Sequence, residues 1–265
     1  MKNSGKQFQI SCCHISFFGD LPSKSWDLFA CKKIIESDLV VSLLSNTNFG
    51  TVLKLFIPTV SPSHVLVIGE ETVLCTKDWR RGEIIPGENV FMIDTLIRNL
   101  FYTHAVRRQM IQLHCATIED QGRGILFLGP SGIGKTTQAE RWAEFRGSSI
   151  INGDVGFVQR TEREYIAWGT PWHGSSPYCL NTSVPVKALV VLKQAQENKL
   201  RELTGFEKVA EVSGSVFYPT WLEDGMDLCT DTLNHLLTDL PVYRLDNRAD
   251  REAVELLARE LDRIS

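Results

Sequence analysis

Short apolar runs separated by Asn, Pro, Ser and Gly occupy the first third of the chain. Runs of five to seven residues that are rich in Val, Leu and Ile are typical of β-strands bounded by turns. They read VVSLL (40–44), TVLKLFI (51–57), HVLVIG (64–69) and ETVLC (71–75). This pattern predicts a small β-rich N-terminal lobe over residues 1–92.

The apolar spacing changes after this lobe. From Asp94 onward, apolar residues recur three and four positions apart, which is the spacing of one face of a helix. They are Leu96, Ile97, Leu100, Phe101 and Ala105. We therefore expect a helix from Asp94, as its N-cap, to about Ile111, and a second, larger domain over residues 93–265.

The larger domain alternates strand-like and helix-like segments, which is typical of an α/β fold. Helices are expected from Lys135 to about Arg146, within 228–237, and at the C-terminus, where Ala253, Val254, Leu257, Leu261 and Ile264 share a face. YIAW (165–168) is expected to form a hairpin with VGFV (155–158). The other predicted strands are LHCATI (113–118), GILFLG (124–129), SSIINGD (148–154), VPVKALVVLK (184–193), KLREL (199–203) and PVYRL (241–245).

Composition excludes several classes of function. The 265 residues carry a formal net charge of −4, and the basic residues are scattered in pairs rather than in a run that could bind a phosphate backbone. No nucleic-acid partner is expected. The N-terminus lacks the apolar core of a signal peptide, and no run of about 18 apolar residues could cross a membrane. We expect a cytoplasmic protein without a membrane partner.

One segment carries a specific chemical signal. GPSGIGKT (129–136) matches G-x-x-x-x-G-K-[ST], between a predicted buried strand and a predicted helix. Backbone N–H groups of such a loop surround a polyphosphate, the lysine reaches the outer phosphates, and the hydroxyl binds Mg²⁺. The alternative is a glycine-rich turn without a ligand. The residues expected to bind ATP or another nucleoside triphosphate are Gly129, Pro130, Ser131, Gly132, Ile133, Gly134, Lys135, Thr136 and Thr137.

Magnesium also needs a carboxylate near Thr136. Asp154 ends the strand SSIINGD, one helix and one turn after the loop, and can supply it. The alternative is a turn aspartate that joins two antiparallel strands. Glu119 and Asp120 lie in the charged segment EDQGRG, which is expected to be a solvated hairpin.

These segments together resemble a known family. The strand LHCATI, the loop GPSGIGKTT and the turn INGDVGFV look like the catalytic domain of HPr kinase/phosphorylase, a P-loop fold with a mixed sheet that is shared with phosphoenolpyruvate carboxykinase. The segments GTPWHGSS (169–176), SVPVKALVVLKQ (183–194) and LPVYRLDNRADREAVELL (240–257), with FFGD (17–20), resemble the subgroup that includes lasso-peptide precursor kinases.

The resemblance assigns roles to particular residues. It implies that Lys135 binds phosphate and that Thr136 and Asp154 bind Mg²⁺. It also implies that His114 belongs to the site. Without the resemblance, the favoured interpretation of His114 would be a histidine of the apolar core. The family usually has two adjacent aspartates, and Gly153 stands at the first of them. The general base is therefore either Asp154 or His114. Gly153→Asp should be structurally tolerated unless Gly153 has a positive φ.

Trp172 and His173 lie in GTPWHGSSPY (169–178), whose Gly and Pro content predicts a loop. They could contact the nucleotide base or a peptide acceptor. The alternative for Trp172 is a buried ring that anchors the loop.

Three functions fit these features. The first is an ATP- and Mg²⁺-dependent kinase that phosphorylates a Ser or Thr hydroxyl of a peptide or small protein, which by the resemblance is a serine of a lasso-type precursor peptide. The second is a carboxykinase-like phosphotransferase on a small metabolite, and the third is a nucleotide-binding regulator that has lost catalysis. The resemblance also allows a homo-oligomer, and no sequence feature fixes the number of subunits.

Overall fold

The computed structural model describes residues 5–32, 35–45, 47–49 and 53–263. The chain divides into two compact units, Met1–Ala105 and Val106–Ser265. The boundary therefore lies after residue 105 rather than after residue 92, because the first long helix belongs with the strands that precede it. The predicted α/β class with a mixed sheet is confirmed by the elements described below.

The first unit is rich in strands. Its main sheet has the order β1-β2-β3-β8-β7-β6, in which β3 runs parallel to both of its neighbours and the other pairs are antiparallel. A short hairpin is formed by β4 and β5. The elements are β1 (Lys6–Ile10), β2 (Cys13–Phe18), a 3-10 helix (Lys24–Phe29), β3 (Leu39–Leu43), β4 (Thr47–Phe49), β5 (Leu53–Leu55), β6 (His64–Ile68), β7 (Glu71–Cys75), β8 (Arg81–Ile85) and helix α1 (Val90–Val106).

Helix α1 differs from its prediction at both ends. It begins before Asp94, because the Asn89 side chain caps it by accepting a hydrogen bond from the Phe91 N–H at 3.0 Å. Asp94 instead accepts a hydrogen bond from the Trp26 indole at 3.1 Å. The helix ends at Val106, before Gln109 turns the chain with a φ of 55°.

The second unit alternates strands and helices. Its elements are β9 (Met110–Asp120), β10 (Arg123–Leu128), α2 (Lys135–Arg146), β11 (Ser149–Asn152), β12 (Val155–Arg160), β13 (Tyr165–Trp168), β14 (Ser183–Gln194), β15 (Lys199–Glu202), α3 (Phe206–Val212), a 3-10 helix (Ser213–Ser215), β16 (Val216–Phe217), α4 (Gly225–Asp239), β17 (Val242–Asn247) and α5 (Arg251–Arg263). The predicted hairpin of β12 and β13 and the bounds of α2 are confirmed. Ile264, expected in the last helix, lies outside the described residues.

Two long strands organise the sheet of this unit. The second half of β9 pairs with β10 along one edge. Along its other edge, the first half of β9 pairs with β12 and the second half pairs with β11. β14 pairs with β13 near its start and then runs parallel to β10 and β17. The pairings of β9, β12, β13, β14 and β10 thus form a closed circuit. The parallel strands β10, β14 and β17 have their carboxyl ends on the same side of the sheet, where the loop that follows β10 lies.

The apolar core of the unit lies between this sheet and helices α2 and α5. Fully buried side chains from the strands meet buried side chains from both helices, as the helical spacing of the apolar residues predicts. Phe127 and Trp142 are examples, with ring centroids 6.3 Å apart. Packing against this core fixes the start of α2 directly behind the phosphate loop.

The hairpin between β9 and β10 differs from the expected solvated turn. Asp120 is 1% exposed and accepts hydrogen bonds from Arg123, Arg146 and Ser148 at 2.8–3.1 Å.

Among the helices within the described residues, none is long and apolar enough to span a membrane.

Candidate active site

The predicted phosphate loop lies between the end of β10 and the start of α2. Gly132 and Gly134 have φ angles of 77° and 108°, which favour glycine, and a Cβ at either position would meet no atom within 4 Å. The backbone of the loop therefore turns around an open cradle. Together with the N-terminus of α2, this arrangement suits a phosphate group.

Lys135 is the first residue of α2 and is only 6% exposed. Its Nζ donates hydrogen bonds to the backbone carbonyls of Gly129 and Pro130, at 3.0 and 3.1 Å. Burial lowers the pKa of Lys135, and the nearby carboxylate of Asp154 partly offsets that effect. The ammonium group therefore lies inside the loop, at the place where phosphate oxygens would compete with the two carbonyls.

Thr136 connects the loop to the turn between β11 and β12, Gly153 and Asp154, which we call the acidic turn. Its hydroxyl donates a hydrogen bond to the backbone carbonyl of Gly153 at 3.2 Å. The turn is not a hairpin: β11 and β12 both run antiparallel to β9, so they point in the same direction, and Gly153 and Asp154 interrupt them. This interruption places the carbonyl of Gly153, the residue before Asp154, against the Thr136 hydroxyl.

Asp154 forms a pair with His114. The Nε2 of His114 donates a hydrogen bond to the Oδ1 of Asp154 at 3.0 Å, and the two side chains are 26% and 34% exposed. His114 lies in β9 directly opposite Val155, the residue after Asp154. The structure therefore brings together the phosphate loop, Asp154 and His114, which the sequence analysis singled out separately.

Asn152 holds the acidic turn and is a residue that the sequence analysis missed. It is fully buried, and its Oδ1 accepts hydrogen bonds from the N–H groups of Asp154 and Val155, at 3.0 and 2.9 Å. Its Nδ2 donates to the backbone carbonyls of Thr170 and Trp172, at 3.3 and 2.8 Å. The dipeptide Asn-Gly was the available signal, since Asn side chains often bond to backbone groups two residues on.

Gly153 is required by packing and not by its backbone angle. Its φ is not positive, but a Cβ at this position would overlap the Cβ and hydroxyl of Ser176. The expected tolerance of Gly153→Asp is therefore wrong, because Ser176 occupies the space that the side chain needs. Gly174, with a φ of 57°, likewise leaves no room for a Cβ beside the Asp154 carboxylate.

Trp172 and His173 lie on the loop that covers this turn. Trp172 is 2% exposed and its ring packs 5.9 Å from that of Phe157, so the burial supports the anchoring role rather than contact with a substrate. His173 is partly exposed, and its Nδ1 donates to the carbonyl of Ser176. The predicted substrate role of His173 stays a prediction.

The donor set fits a magnesium–nucleotide complex. Mg²⁺ in nucleotide sites is held by one or two protein oxygens together with phosphate oxygens and water. The Thr136 hydroxyl and the Asp154 carboxylate are oxygen donors of this kind. No group of three or more His, Cys, Asp or Glu side chains that could hold a metal ion occurs in the described residues.

Solved structures and curated proteins were both compared with this chain. The Hpr(Ser) kinase/phosphatase from Coxiella burnetii is similar to this chain in structure with a TM-score of 0.35 and 12% identity, over 57% of this chain and 88% of that one. No curated protein matches the chain. The fold described above rests on the chain's own topology.

The family comparison covers more of the site. The family model described as SynChlorMet cassette protein ScmC matches residues 87–233, more than half of the chain. That range includes the phosphate loop, His114 and the acidic turn. The chain therefore belongs to the family of the SynChlorMet cassette protein ScmC.

Proposed function

We propose that this protein is a kinase that uses ATP and Mg²⁺ to phosphorylate a Ser or Thr hydroxyl of a peptide or small protein. The observation that carries the proposal is the meeting of the phosphate loop with the His114–Asp154 pair. Thr136 bonds to the carbonyl of Gly153, and the next residue, Asp154, bonds to His114. A hydroxyl that enters beside this pair would lie next to the outer phosphate of a bound nucleotide.

Each residue has a role in this proposal. Lys135 exchanges its two backbone carbonyl partners for phosphate oxygens and balances the charge on the transferred group. Thr136 and Asp154 hold the Mg²⁺, which when bound neutralises charge on the phosphate oxygens. His114 holds the Asp154 carboxylate in place through its Nε2.

The Asp154–His114 pair also orients the acceptor. The O–H bond of the acceptor breaks and its proton passes to the pair, while a new O–P bond forms and the bond to the leaving nucleoside diphosphate breaks. Transfer through a loose transition state requires positioning and charge neutralisation more than a strong base. One carboxylate held by a histidine therefore suffices, although Gly153 replaces the first aspartate of the pair.

The surroundings of the pair favour a peptide over a small dicarboxylic acid. The ring of Phe217 lies 6.3 Å from that of His114 and is 41% exposed. An exposed aromatic ring next to the proposed base suits an apolar side chain of a peptide better than a small anion. On the basis of the sequence resemblance, the proposed acceptor is a serine of a lasso-type precursor peptide.

The test compares Asp154→Asn with Asp231→Asn, a matched change at an exposed site on α4. Phosphoryl transfer to a serine-containing acceptor peptide is measured with Mg²⁺ and ATP. We expect Asp154→Asn to lower the transfer rate by about a hundredfold or more, since a neutral amide replaces a charged metal ligand. ATP affinity should fall much less. Near-parental transfer by Asp154→Asn would refute the proposed mechanism.

A further inference from the structure

A cavity adjoins the phosphate loop on the side away from the His114–Asp154 pair. It has a volume of about 650 Å³. One wall consists of Gly132 to Gly134 and Thr137, from the loop and the first turn of α2. The other walls are residues 194–196, at the end of β14, and residues 247–249, at the end of β17.

The strand order fixes the direction from the loop to the cavity. β10, which leads into the loop, lies between β9 and β14, and β17 lies beyond β14. His114 is on β9, and Asp154 follows the strand paired to β9 on its other edge. The pair is therefore on the β9 side of the loop, whereas the cavity is on its β14 and β17 side, at the carboxyl ends of three parallel strands.

We infer that this cavity binds the base and ribose of the nucleoside triphosphate whose phosphates the loop holds. The inference rests on the proposed function, because a terminal phosphate that points toward Asp154 leaves the nucleoside to extend the opposite way. A volume of about 650 Å³ is ample for a nucleoside. The ligand class is a complete nucleoside triphosphate rather than an inorganic polyphosphate.

The wall after β17 is held in a defined conformation. Ala249 has a φ of 56°, which is uncommon for a residue other than glycine. Its N–H donates to Asn247 Oδ1 at 2.8 Å, and its carbonyl accepts from Arg141 Nε, on α2, at 3.1 Å. The N–H of Arg248 donates to Asn198 Oδ1 at 2.9 Å. These bonds fix the wall before any ligand binds, which reduces the entropy lost on binding.

Polar side chains of the cavity match the groups of a nucleoside. The guanidinium of Arg248 is held by Asp250 at 2.9 Å and by Glu252 at 2.5 Å, and the side chain is 48% exposed. A planar guanidinium that is oriented in this way can stack on a base. The amides of Gln194 and Gln196 also line the cavity and can bond to ribose hydroxyls or base edges.

The test blocks the cavity without changing the phosphate loop. Ala195 lines the cavity and is exposed, so Ala195→Trp fills part of the volume without disturbing the core. Ala210→Trp, at an exposed position on α3, is the matched control. The dissociation constants of ATP and of inorganic tripolyphosphate are measured by calorimetry for the full chain, both with Mg²⁺.

We expect Ala195→Trp to weaken ATP binding about tenfold or more, because the indole occupies space that the base needs. Tripolyphosphate affinity should stay the same, as should both affinities in the control. Arg248→Met should weaken ATP several-fold and leave tripolyphosphate unchanged. Unchanged ATP affinity in both cavity variants would overturn the inference, as would an equal loss of both ligands.

The same measurements distinguish a failure of the nucleoside site from a failure of the kinase proposal. If the wild-type protein binds ATP through the cavity but transfers phosphate to no acceptor, the kinase proposal fails and the nucleoside site stands. If the wild-type protein binds neither ATP nor tripolyphosphate, both fail.

Discussion

At the scale of single residues, the position of Asp154 depends on the Asn152 side chain. Its amide satisfies two N–H groups of the acidic turn and two carbonyls of the loop that covers it. Buried polar groups that lose their partners cost about 1–3 kcal/mol each. Asn152 is therefore a positioning residue for the proposed metal ligand.

Asn152→Ala should lower both stability and phosphoryl transfer. We expect the free energy of unfolding to fall by about 2–4 kcal/mol, because several buried groups lose their partners at once. Transfer, measured well below the melting temperature, should fall more than ATP affinity, since the phosphate loop is intact. Asn234→Ala, at an exposed position on α4, is the control. Parental kcat in a stably folded Asn152→Ala would show that Asp154 is held by other groups.

The sequence predicted part of this site because some roles are local. The loop motif identifies Lys135 and Thr136 through their spacing alone, and Asp154 follows from the end of a strand. The importance of Ser176 for Gly153 could not be identified, because the contact joins two segments that are separated in the chain. The expectation for Gly153→Asp was wrong for the same reason: an alignment of motifs shows which side chain is missing but not what fills its place.

At the scale of elements, Asp120 joins several of them. It ends β9, and its carboxylate accepts hydrogen bonds from Arg123 at the start of β10, from Arg146 at the end of α2, and from Ser148 before β11. Burial would raise the pKa of Asp120, but the bonds from Arg146, Ser148 and Arg123 outweigh it, and the pKa is lowered from its ordinary value of 3.8. The ionised form therefore stabilises the fold.

Asp120→Asn should reveal this contribution through its pH dependence. Since the folded pKa is lowered, the stabilisation is fully present above the ordinary value and is lost as the pH falls through the folded pKa. We expect a loss of about 2–3 kcal/mol in the free energy of unfolding at pH 7 and a smaller loss below pH 4, measured by urea unfolding.

Asp262→Asn is the matched control for this cluster. Asp262 bonds to the same Arg123 at 2.7 Å, but its side chain is 55% exposed, so its removal should change stability by less than about 0.5 kcal/mol. A loss from Asp120→Asn that is equal at pH 7 and pH 3.5 would contradict the electrostatic explanation.

The strand β16 carries the residue that tests the acceptor class. Phe217→Ala should raise the KM for an acceptor peptide about five- to tenfold, because a half-exposed ring loses its apolar contact area. ATP affinity should not change, and Phe217→Leu should retain most of the affinity for the peptide. Phe206→Ala removes an 80% exposed ring on α3 and serves as the control. An unchanged KM in Phe217→Ala would mean that the acceptor does not contact this ring.

Elements with a regular pattern were predictable, and short or irregular ones were not. α2 has the predicted bounds, since its buried positions repeat at helical spacing. α3 has only 7 residues and exposes Phe206 and Val209, so it has no apolar stripe that a pattern could detect. α1 ends at Val106 rather than near Ile111, because the chain turns at Gln109 and Met110 and Ile111 belong to β9.

At the scale of the whole molecule, the sequence predicted two parts but not their internal order. A change from strand spacing to helical spacing near residue 93 indicated that there are two parts, although the division lies after residue 105. In the first unit, β3 pairs with β8, about 40 residues further along the chain, and no local pattern specifies that pairing. The closed circuit in the second unit also depends on β14, which changes partners along its length.

All the residues that we assign to nucleotide and acceptor lie in the unit Val106–Ser265. Ligand binding adds stability to the parts that bind, by about 2.7 kcal/mol at a ligand concentration of a hundred times Kd. Hydrogen exchange of the full chain, with and without Mg²⁺ and ATP, can locate this effect. We expect slower exchange in residues 129–137, 152–154, 194–196 and 247–249, and unchanged exchange in β6, β7 and β8.

The control and the contrary result separate binding from general tightening of the fold. Lys135→Ala removes the ammonium group inside the loop, so ATP should protect the same segments much less in that variant. Protection of residues 129–137 without protection of 194–196 and 247–249 would show that the loop holds phosphate while the base lies elsewhere. Equal protection of β6, β7 and β8 would contradict the expected restriction of the effect to the second unit. It would mean either that the ligand contacts the first unit or that the two units open together.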